Sequence, residues 1–550
     1  MPRNVSEVLV DQLGDWGVPL VFGVMGETIL GLLNAIWHQD RVRFIATQSE
    51  QAAALAASAY GKLTGELAAC IATGGPGATG LLTGVFDAHS DRAPLLAITG
   101  QVRRSWQHEG AWQELDSHAL FEPATVFNAE IATPSQAPVL LAGALQAALS
   151  RRDVVHLAVP IDIQTMAADV EPIRPAGHLN WSTAVASDDA LRQAARLLLG
   201  ADRPLILAGG GALGAREPVL QLAHRLGAPV LTTCRGKGLL PAAEPLHMGI
   251  PGYAGTPLAD SLLSEADTIL VVGSSLSQHT TGDWRLIRPQ QQLIQIDIEP
   301  ERIGHLFAVE VGLWGDAAAT LRRLLSFLPE GPAQAAWGDL AGRRLGLQAQ
   351  IERKARLASR PLKPQFVVRT LQETLPADAV IALDAGDHAF FVCQQYEPKG
   401  ERFVMSYQLG STGFGLPAAM AAALAYPERA AVAVVGDGAL ASTLGELITA
   451  VAHNLPLTVV CFNNARLGML NSEEERLGMP PFFTELPALD FARLARDCGV
   501  QGVRVDEPEA LAAALHQALD ARRPFVVDVA IDPMERESTA IEMVPTEAPA

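Results

Sequence analysis

Short apolar runs alternate along the chain with glycine-rich turns and with segments rich in alanine and leucine. The run "AAVAVV" at 430–435 and the run "LTVVCF" at 457–462 are each long enough for a buried strand, and the segment between them has a helical composition. The same order of elements occurs in three blocks of the chain. Because strands that alternate with helices favour parallel sheets, the pattern predicts an α/β protein with three doubly wound parallel-sheet domains.

Two proline-rich stretches interrupt this order and indicate linkers. Residues 166–186 are rich in proline and turn formers, and residues 327–364 combine prolines with a charged helical piece. The composition of the C-terminal end, "PTEAPA", is typical of disorder. The predicted units are an N-terminal domain at 1–165, a middle domain at 187–326, a C-terminal domain at 365–535 and a tail at 536–550.

Composition and charge exclude several classes of function. The chain is 49% hydrophobic, which suffices for several packed cores, and 41 Lys and Arg stand against 60 Asp and Glu, giving a net charge of −19. No basic footprint for nucleic acid or for an anionic membrane is present.

The five cysteines are scattered without a C-x-x-C pair, and no apolar stretch is long enough to cross a bilayer. We therefore expect a cytoplasmic protein.

The strand "AAVAVV" ends at an aspartate flanked by two glycines. Doubly wound sheets bind ligands at the carboxyl ends of their strands, where Gly436 and Gly438 would let a phosphate approach the backbone. One helix and one strand later, Asn463 and Asn464 reach the end of the neighbouring strand. A carboxylate and a carboxamide at one sheet edge suit Mg²⁺, which prefers oxygen ligands. For the G-D-G triplet alone, a strand-ending turn with a capping aspartate is the alternative.

The G-D-G at 436–438 followed by the N-N at 463–464 resembles the motif of thiamine-diphosphate-dependent enzymes. The chain resembles that family over almost its whole length, which implies two thiamine-diphosphate-binding-fold domains flanking a Rossmann-like middle domain. The resemblance implies that the side chains of Asp437 and Asn464 and the carbonyl of Arg466 bind Mg²⁺. The first and third blocks of the chain also resemble each other, as expected for two related domains.

Two further segments, "LDAGDHAFF" and "YQLGSTGFGLPAAM", resemble the family's other cofactor loops. Thr412 stands where relatives usually carry a bulky apolar residue that props the cofactor into a bent shape. Threonine there would either enlarge the pocket or do the same work through its methyl group. The implied cofactor contacts are Glu50, Gly386, Asp387, His388, Gly410, Thr412, Gly436, Asp437, Gly438, Ala439, Asn464 and Met469.

The segment "RFIATQSEQAAALAASAYGKLTGE" places Glu50 at a junction between a strand and a helix. A glutamate at a helix start is favoured by the helix dipole, so this position alone does not indicate catalysis. The surrounding string resembles the family's glutamate motif, which implies that a carboxyl group kept protonated by apolar surroundings serves the aminopyrimidine of the cofactor. In this family the cofactor spans two subunits, which implies a homodimer or homotetramer.

Other stretches resemble the branch that contains pyruvate oxidase and acetolactate synthase, and residues 462–505 are closest to the pyruvate oxidases. Gln113 and Glu473 join Glu50 as implied catalytic residues. Trp112 replaces the usual phenylalanine. Trp112 and Met469 would also be ordinary core fillers, and Glu473 would also suit a solvated helix face. The implied substrate-pocket positions are Gly26, Thr28, Trp112, Gln113, Met469 and Glu473.

The middle block resembles the domain that holds FAD or ADP in some relatives. The candidate nucleotide contacts are Gly209, Gly210, Asp297 and Asp316. The stretch "VGSSLSQHTTGDW" departs from the pattern with arginine and phenylalanine seen in flavin-bearing relatives. An empty structural domain is therefore the alternative.

The resemblance implies an enzyme that uses thiamine diphosphate and Mg²⁺ to decarboxylate a short 2-oxo acid such as pyruvate through an enamine intermediate. A pyruvate-oxidase-like reaction with FAD is the first expectation. Carboligation of the acetolactate-synthase type and non-oxidative decarboxylation are the alternatives. A catalytically inactive, nucleotide-binding regulatory protein is the alternative of another class, and the presence of Glu50, Asp437 and Asn464 together argues against it.

Overall fold

The computed structural model describes residues 3–175, 183–331, 335–356 and 358–536. Within these ranges the chain forms three α/β domains, each built on one parallel sheet, and the predicted fold class is confirmed. Part of the predicted first linker and all but the first residue of the predicted tail lie outside the described residues.

The N-terminal domain is a six-stranded parallel sheet with helices on both faces. Its strands are β1 (Leu20–Gly23), β2 (Arg43–Ala46), β3 (Ala68–Ala72), β4 (Leu95–Gln101), β5 (Phe127–Glu130) and β6 (Val154–Pro160). Its helices are α1 (Val5–Asp15), α2 (Leu30–Trp37), α3 (Glu50–Thr64), α4 (Pro76–Gly80), α5 (Leu82–Ser90), α6 (Ser117–Phe121), α7 (Ala137–Arg151) and α8 (Ile161–Gln164). The strand order is β2-β1-β3-β4-β6-β5.

The middle domain is a five-stranded parallel sheet. Its strands are β7 (Pro204–Ala208), β8 (Val230–Thr232), β9 (Thr268–Val272), β10 (Gln292–Asp297) and β11 (Val311–Trp314). Its helices are α9 (Asp188–Gly200), α10 (Arg216–Leu226), α11 (Pro257–Glu265), α12 (Gln278–Thr281) and α13 (Ala317–Leu325), and helix α14 (Leu340–Ala355) lies in the second linker. The strand order is β11-β10-β9-β7-β8. The chain continues from β7 to β8 on one side of the sheet and from β9 to β10 on the other, so a switch point lies between β7 and β9.

The C-terminal domain is a second six-stranded parallel sheet. Its strands are β12 (Val380–Leu383), β13 (Arg402–Val404), β14 (Ala431–Gly436), β15 (Leu457–Asn463), β16 (Gln501–Val505) and β17 (Phe525–Ala530). Its helices are α15 (Pro364–Thr374), α16 (Asp387–Gln395), α17 (Gly415–Ala425), α18 (Asp437–Thr443), α19 (Glu446–Ala452), α20 (Gly468–Arg476), α21 (Phe491–Asp497) and α22 (Pro508–Asp520). The strand order is β13-β12-β14-β15-β17-β16.

The first and third sheets have the same topology. When the strands of each domain are counted from its first one, both sheets read second, first, third, fourth, sixth, fifth. The similarity that the sequence shows between these two blocks therefore extends to the order of their strands.

Helices of small residues join these two domains. Helix α3 is buried from Ala52 to Gly61, and α17 is buried from Gly415 to Ala423. Both helices belong to one apolar cluster that includes residues of both sheets. A β-carbon on Gly84 of α5 would lie 2.4 Å from that of Ala54 in α3, so α5 packs on the same helix at a distance that only glycine permits.

A buried lysine adds a polar contact between the same domains. The Nζ atom of Lys62 lies 2.7 Å from Oδ2 of Asp87 and 2.6 Å from Oδ2 of Asp91, and it donates to the carbonyl of Met405. Asp91 also accepts a hydrogen bond from the backbone N–H of Tyr407. The segment that begins at 405 is thereby attached to the N-terminal domain.

None of the helices in the described residues is long and apolar enough to cross a membrane.

Acid should destabilise the fold through His156. This side chain is buried between Thr99 and Asn128, and burial lowers its pKa from 6.5 to about 3. Below pH 6.5 the unfolded chain therefore binds a proton at this histidine that the folded chain does not bind. As the pH is lowered to 5, the free energy of unfolding decreases by up to about 2 kcal/mol. Melting temperatures measured from pH 7 to pH 5 should fall less steeply for His156→Gln than for the parent. The same change at the exposed His516 should leave the slope unaltered.

Candidate functional site

The C-terminal sheet has a crevice where the chain leaves adjacent strands in opposite directions. Strands β12 and β14 are neighbours, and in parallel sheets ligands bind at such a switch point, beyond the carboxyl ends of the strands. Helix α16 begins there at Asp387 and α18 begins there at Asp437. The two predicted diphosphate motifs are thereby brought to the same edge of the sheet.

Asp437 is held by backbone N–H groups from the end of the next strand. Its Oδ2 atom accepts hydrogen bonds from Asn464 at 3.1 Å and Ala465 at 2.6 Å, and its Oδ1 atom accepts one from Gly438. Burial raises the pKa of Asp437, and these hydrogen bonds oppose that effect. The side-chain oxygen of Asn464 accepts the N–H of Arg466, so the segment that follows β15 folds back over the carboxylate.

A second carboxylate, that of Asp387, lies at the same place. A β-carbon on Gly468 would lie 2.0 Å from Oδ2 of Asp387 and 3.6 Å from Nδ2 of Asn464, so these three residues are in close contact. Burial raises the pKa of Asp387 to about 6; a hydrogen bond from the N–H of His388 opposes the shift, and the charge of Asp437 adds to it. A pair of carboxylates in which the charge of one raises the proton affinity of the other also attracts a cation.

The arrangement suits Mg²⁺ only if amide oxygens, carbonyl oxygens and an incoming diphosphate complete its coordination. Across the described ranges, no group of three or more His, Cys, Asp or Glu side chains is placed to hold a metal ion. Mg²⁺ is commonly held by one or two carboxylates, water and the phosphates of its ligand. The predicted set of Asp437, Asn464 and the carbonyl of Arg466 is of this kind.

His388 provides a buried polar group without a protein partner. Its side chain is 2% exposed, burial lowers its pKa to about 4, and its Nε2 atom has no hydrogen-bond partner among the described residues. A β-carbon on Gly436 would lie 3.2 Å from Nδ1 of the same ring. A neutral imidazole next to an open glycine backbone can donate to a phosphate oxygen, and the crevice therefore fits a diphosphate.

The loop with Gly410 and Thr412 is supported from below by Asp384. This buried carboxylate accepts hydrogen bonds from the N–H groups of Gly413 at 2.8 Å and Gly415 at 2.7 Å. Burial raises the pKa of Asp384 to about 6, and the backbone hydrogen bonds oppose that effect. Gly410 has a φ of +67°, nothing lies within 4 Å of the position of its missing β-carbon, and Thr412 is exposed. The loop therefore presents both residues to the outside.

The remaining predicted positions of this domain have different surroundings. Ala439 is buried inside α18, whereas Met469 is partly exposed at the start of α20 and is not a core filler. Glu473 is paired with Arg476 at 2.5 Å, and this hydrogen bond lowers the pKa of Glu473. The pairing matches the solvated helix face that the sequence offered as an alternative for Glu473.

Glu50 lies in the N-terminal domain, at the first position of α3. Ser49 caps this helix and accepts the N–H of Ala52. A β-carbon on Gly80 would lie 2.9 Å from Cβ of Glu50, and one on Gly77 would lie 3.4 Å from its Oε1 atom. The glutamate side chain therefore rests on the glycines of α4, and larger residues there would displace it.

The predicted substrate positions of the N-terminal domain surround its own switch point, between β1 and β3. Thr28 exchanges a hydrogen bond with Thr73 at 2.8 Å and accepts the N–H of Gly74. The backbone of Gln113 contacts Gly75, and a β-carbon on Gly26 would lie 2.5 Å from that of Thr73. These predicted residues are therefore brought together around one glycine turn.

Trp112 adjoins this turn and is 83% exposed. It is therefore not a core filler, which was one of the two roles that the sequence allowed.

In the middle domain, Gly209 follows β7 at the switch point with β9, and a β-carbon there would lie 2.3 Å from the carbonyl oxygen of Gly273. The side chain of Arg235 lies against Gly210. Burial raises the pKa of Asp297 to about 6, and nearby arginines oppose that effect. Asp316 instead caps helix α13 by accepting the N–H of Ala319 at 2.8 Å.

Sequence reasoning missed three residues with evident roles in the site. Asp384 closes the apolar strand "VIAL", which is the signal that identified Asp437. Gly468 allows Asp387 to approach Asn464, and nothing in its local sequence predicts that contact. Glu446 is a charged residue in the otherwise apolar segment "ELITAVA", and it contacts the loop before Glu50.

Comparison with known families identifies all three domains. The N-terminal TPP binding domain of thiamine pyrophosphate enzymes matches residues 3–120, their central domain matches residues 191–324, and their C-terminal TPP binding domain matches residues 384–529.

Similar proteins match over nearly the whole chain. A putative thiamine pyrophosphate-containing protein, YdaP, of Bacillus subtilis is 34% identical over 96% of this chain and 92% of its own length. A probable acetolactate synthase large subunit of Methanocaldococcus jannaschii is 33% identical over 98% of this chain and 93% of its own. The acetolactate synthase large subunit of Corynebacterium glutamicum is 32% identical over 95% of this chain and 86% of its own.

Replacing Asp437 tests the cation site. Asp437→Ala should abolish Mg²⁺-dependent uptake of thiamine diphosphate, because it removes a carboxylate of the predicted cation site and the acceptor of the hydrogen bonds from the N–H groups of Asn464 and Ala465. Isothermal titration calorimetry with and without Mg²⁺ measures the effect. Asp153→Ala, which removes a carboxylate of the N-terminal domain, is the control and should bind normally. Unchanged uptake by Asp437→Ala would refute the metal assignment.

Proposed function

Because the chain belongs to the thiamine pyrophosphate enzyme family, we propose that it uses thiamine diphosphate and Mg²⁺ to act on a short 2-oxo acid such as pyruvate. The observation that carries this proposal is the convergence of Asp437, Asp387 and Asn464 in the crevice between β12 and β14. A catalytically inactive regulatory protein would need neither a cation site there nor the glutamate at the start of α3.

Each part of the cofactor has residues suited to hold it. The side chains of Asp437 and Asn464 and the carbonyl of Arg466 bind Mg²⁺, and His388 with the glycine turns at 386 and 436–438 binds the diphosphate. The loop at 410–412 faces the remainder of the molecule. When bound, thiamine diphosphate supplies an acidic ring carbon that adds to a carbonyl and takes up the electrons released as carbon dioxide leaves.

Glu50 is proposed to hold a proton at the ring nitrogen of the aminopyrimidine. The glycines of α4 leave room on one side of its carboxyl group, and helix α3 fixes the position of its backbone. Gln113, Thr28 and Gly26 surround the neighbouring turn and are proposed to face the substrate, with Trp112 narrowing the entrance. Glu473 is engaged by Arg476 and would have to leave that ion pair to reach a substrate.

Carboligation of the acetolactate-synthase type is the favoured reaction, in place of the oxidase-like reaction first expected from the sequence. Relatives that carry this name are 33% and 32% identical over nearly the whole chain. In such a reaction the group left after decarboxylation is transferred to a second 2-oxo acid. Trp112 and Thr412 are exposed, and we propose that these two residues select the acceptor.

A nucleotide such as FAD or ADP is a second proposed ligand, at the switch point of the middle domain. Arg92, Arg235 and Arg302 act electrostatically on Asp297, and Arg235 covers Gly210. Arginines beside a glycine turn suit a diphosphate. Since Asp316 serves as a helix cap, it is not retained among the proposed nucleotide contacts.

The active unit is proposed to be a homodimer or a pair of homodimers. Exposed apolar side chains lie next to both halves of the site, and large exposed apolar areas typically mark protein contacts. Those near the N-terminal half are Met25, Trp106 and Trp112, and those near the C-terminal half are Met469, Met479, Phe482 and Phe483.

The products formed from pyruvate distinguish the candidate reactions. With thiamine diphosphate and Mg²⁺ under anaerobic conditions, NMR should detect acetolactate as the main product. Acetate together with bleaching of a bound flavin's visible absorption would instead establish an oxidase, and acetaldehyde a simple decarboxylase. Glu50→Gln is the matched control and should lower turnover about 100-fold or more.

Mixing two inactive variants tests whether the site is shared between subunits. If Glu50 serves cofactor bound by the other subunit, mixed dimers of Glu50→Gln and Asp437→Ala contain one intact site. Unfolding and refolding equal amounts together should then restore about a quarter of wild-type activity, because half of the dimers are mixed and half of their sites are intact. Sites contained within one chain would give no recovery.

A further inference from the structure

Helix α19 of the C-terminal domain presents one row of polar side chains to the loop that precedes Glu50. Glu446, Thr449 and His453 are spaced for a single helix face. Glu446 accepts the N–H groups of Gln48 and Ser49, and Nε2 of His453 accepts the N–H of Ala46 at 3.0 Å. Thr449 receives a long hydrogen bond from the side chain of Gln48.

The carboxylate of Glu446 is the centre of this contact. It is 2% exposed and accepts hydrogen bonds from Ser49 N at 3.0 Å, Ser49 Oγ at 3.3 Å, Gln48 N at 3.2 Å and Thr449 Oγ1 at 2.8 Å. Burial raises the pKa of Glu446, and these donors oppose the shift. A buried carboxylate is expensive unless its oxygens are satisfied, and here both oxygens are.

The residues held in this way stand immediately before Glu50. Ser49 is the cap of helix α3, so its position decides where the helix starts and where the Cα of the next residue lies. We propose that Glu446 is a positioning residue for Glu50: it fixes the backbone at 48–49 from the other domain and thereby aims the Glu50 carboxyl. This inference rests on the proposed function of Glu50.

Attachment of the two domains does not by itself require this carboxylate. Helices α3 and α17 already pack through a continuous apolar surface, and Lys62 and Asp91 provide a second polar link through their hydrogen bonds with Met405 and Tyr407. The effect of Glu446 is local, because the backbone N–H groups that donate to it are the last two before the catalytic position. A small displacement of such a residue typically costs far more in rate than in stability.

Glu446→Gln tests the proposal, since it preserves the size of the side chain but replaces one acceptor oxygen with a donor. Hydrogen–deuterium exchange of the peptide covering 46–50 should be roughly 10-fold faster in the variant without cofactor. In the protein loaded with thiamine diphosphate and Mg²⁺, exchange of the cofactor's ring-carbon proton should slow about 10- to 100-fold, as read by NMR after an acid quench. Cofactor affinity should stay within about threefold of the parent, because no group that binds the diphosphate is changed.

Glu401→Gln is the matched control. Glu401 is also a buried carboxylate of the C-terminal domain that accepts backbone N–H groups, from Lys399 and Gly400, but it contacts neither Glu50 nor the cofactor crevice. This variant should show neither effect. If it slows proton exchange as much as Glu446→Gln does, the effect is one of general stability and the proposal is wrong.

Two further variants complete the test. Glu446→Asp keeps the charge but withdraws it by one methylene. It should therefore show a smaller increase in exchange of the 46–50 peptide and a smaller decrease in exchange of the ring-carbon proton. This variant also provides the test if Glu446→Gln does not fold. Normal proton exchange in Glu446→Asp together with a faster-exchanging 46–50 peptide would overturn the positioning role. Normal exchange of the ring-carbon proton in Glu50→Gln would instead overturn the proposed function on which the inference rests.

Discussion

The contact between helices α3 and α17 determines how the two halves of the site are held within a chain. Each helix begins at a functional element: α3 begins at Glu50, and α17 follows the loop that contains Gly410 and Thr412. Both are rich in alanine, so their backbones approach closely and their burial depends on shape rather than on large side chains. A larger residue at this contact would therefore shift both elements at once. Two polar contacts with the C-terminal domain flank this packing, since Glu446 binds the residues just before α3 and Lys62, near the end of α3, donates to Met405.

The two outer domains show how one topology serves two tasks. Both sheets have the same strand order, so each has a switch point between its first and third strands. In the third domain the two strand ends carry Asp387 and Asp437, which suit a cation. In the first domain the corresponding turns carry Gly26 together with Thr28 and Thr73, and the hydroxyl groups of the two threonines hydrogen-bond to each other. The two domains thus differ in their roles because of a few residues at strand ends, and not because of the arrangement of the strands.

The parts of the site that sequence could predict are those determined by local order along the chain. Asp437 and Asn464 lie at the ends of the adjacent strands β14 and β15, so the helical segment and the strand between them suffice to bring them together, although the structure divides that segment into the two short helices α18 and α19. The fold class followed in the same way from alternating strands and helices. The contacts of Glu446 with Ser49 and of Asp91 with Tyr407 join segments hundreds of residues apart in different domains, and no local pattern encodes them. The same holds for exposure, because the sequence left Trp112 and Met469 open both as core fillers and as substrate contacts.

Electrostatics impose an order on the assembly of the site. The chain carries a net charge of −19, and the cofactor and the 2-oxo acid are both anions. At the crevice the protein itself adds two carboxylates, while His388 is held neutral by burial, and positive potential comes from the starts of α16 and α18 and from Arg536, whose charge acts on Asp387. The proposed Mg²⁺ would reverse this balance, because it would neutralise the charge of Asp387 and Asp437 and provide positive charge toward the phosphates. Under that proposal we expect the cation and the diphosphate to bind cooperatively, each reducing the electrostatic cost of the other, and we expect the carboxylate pair to oppose binding of the anion without the metal.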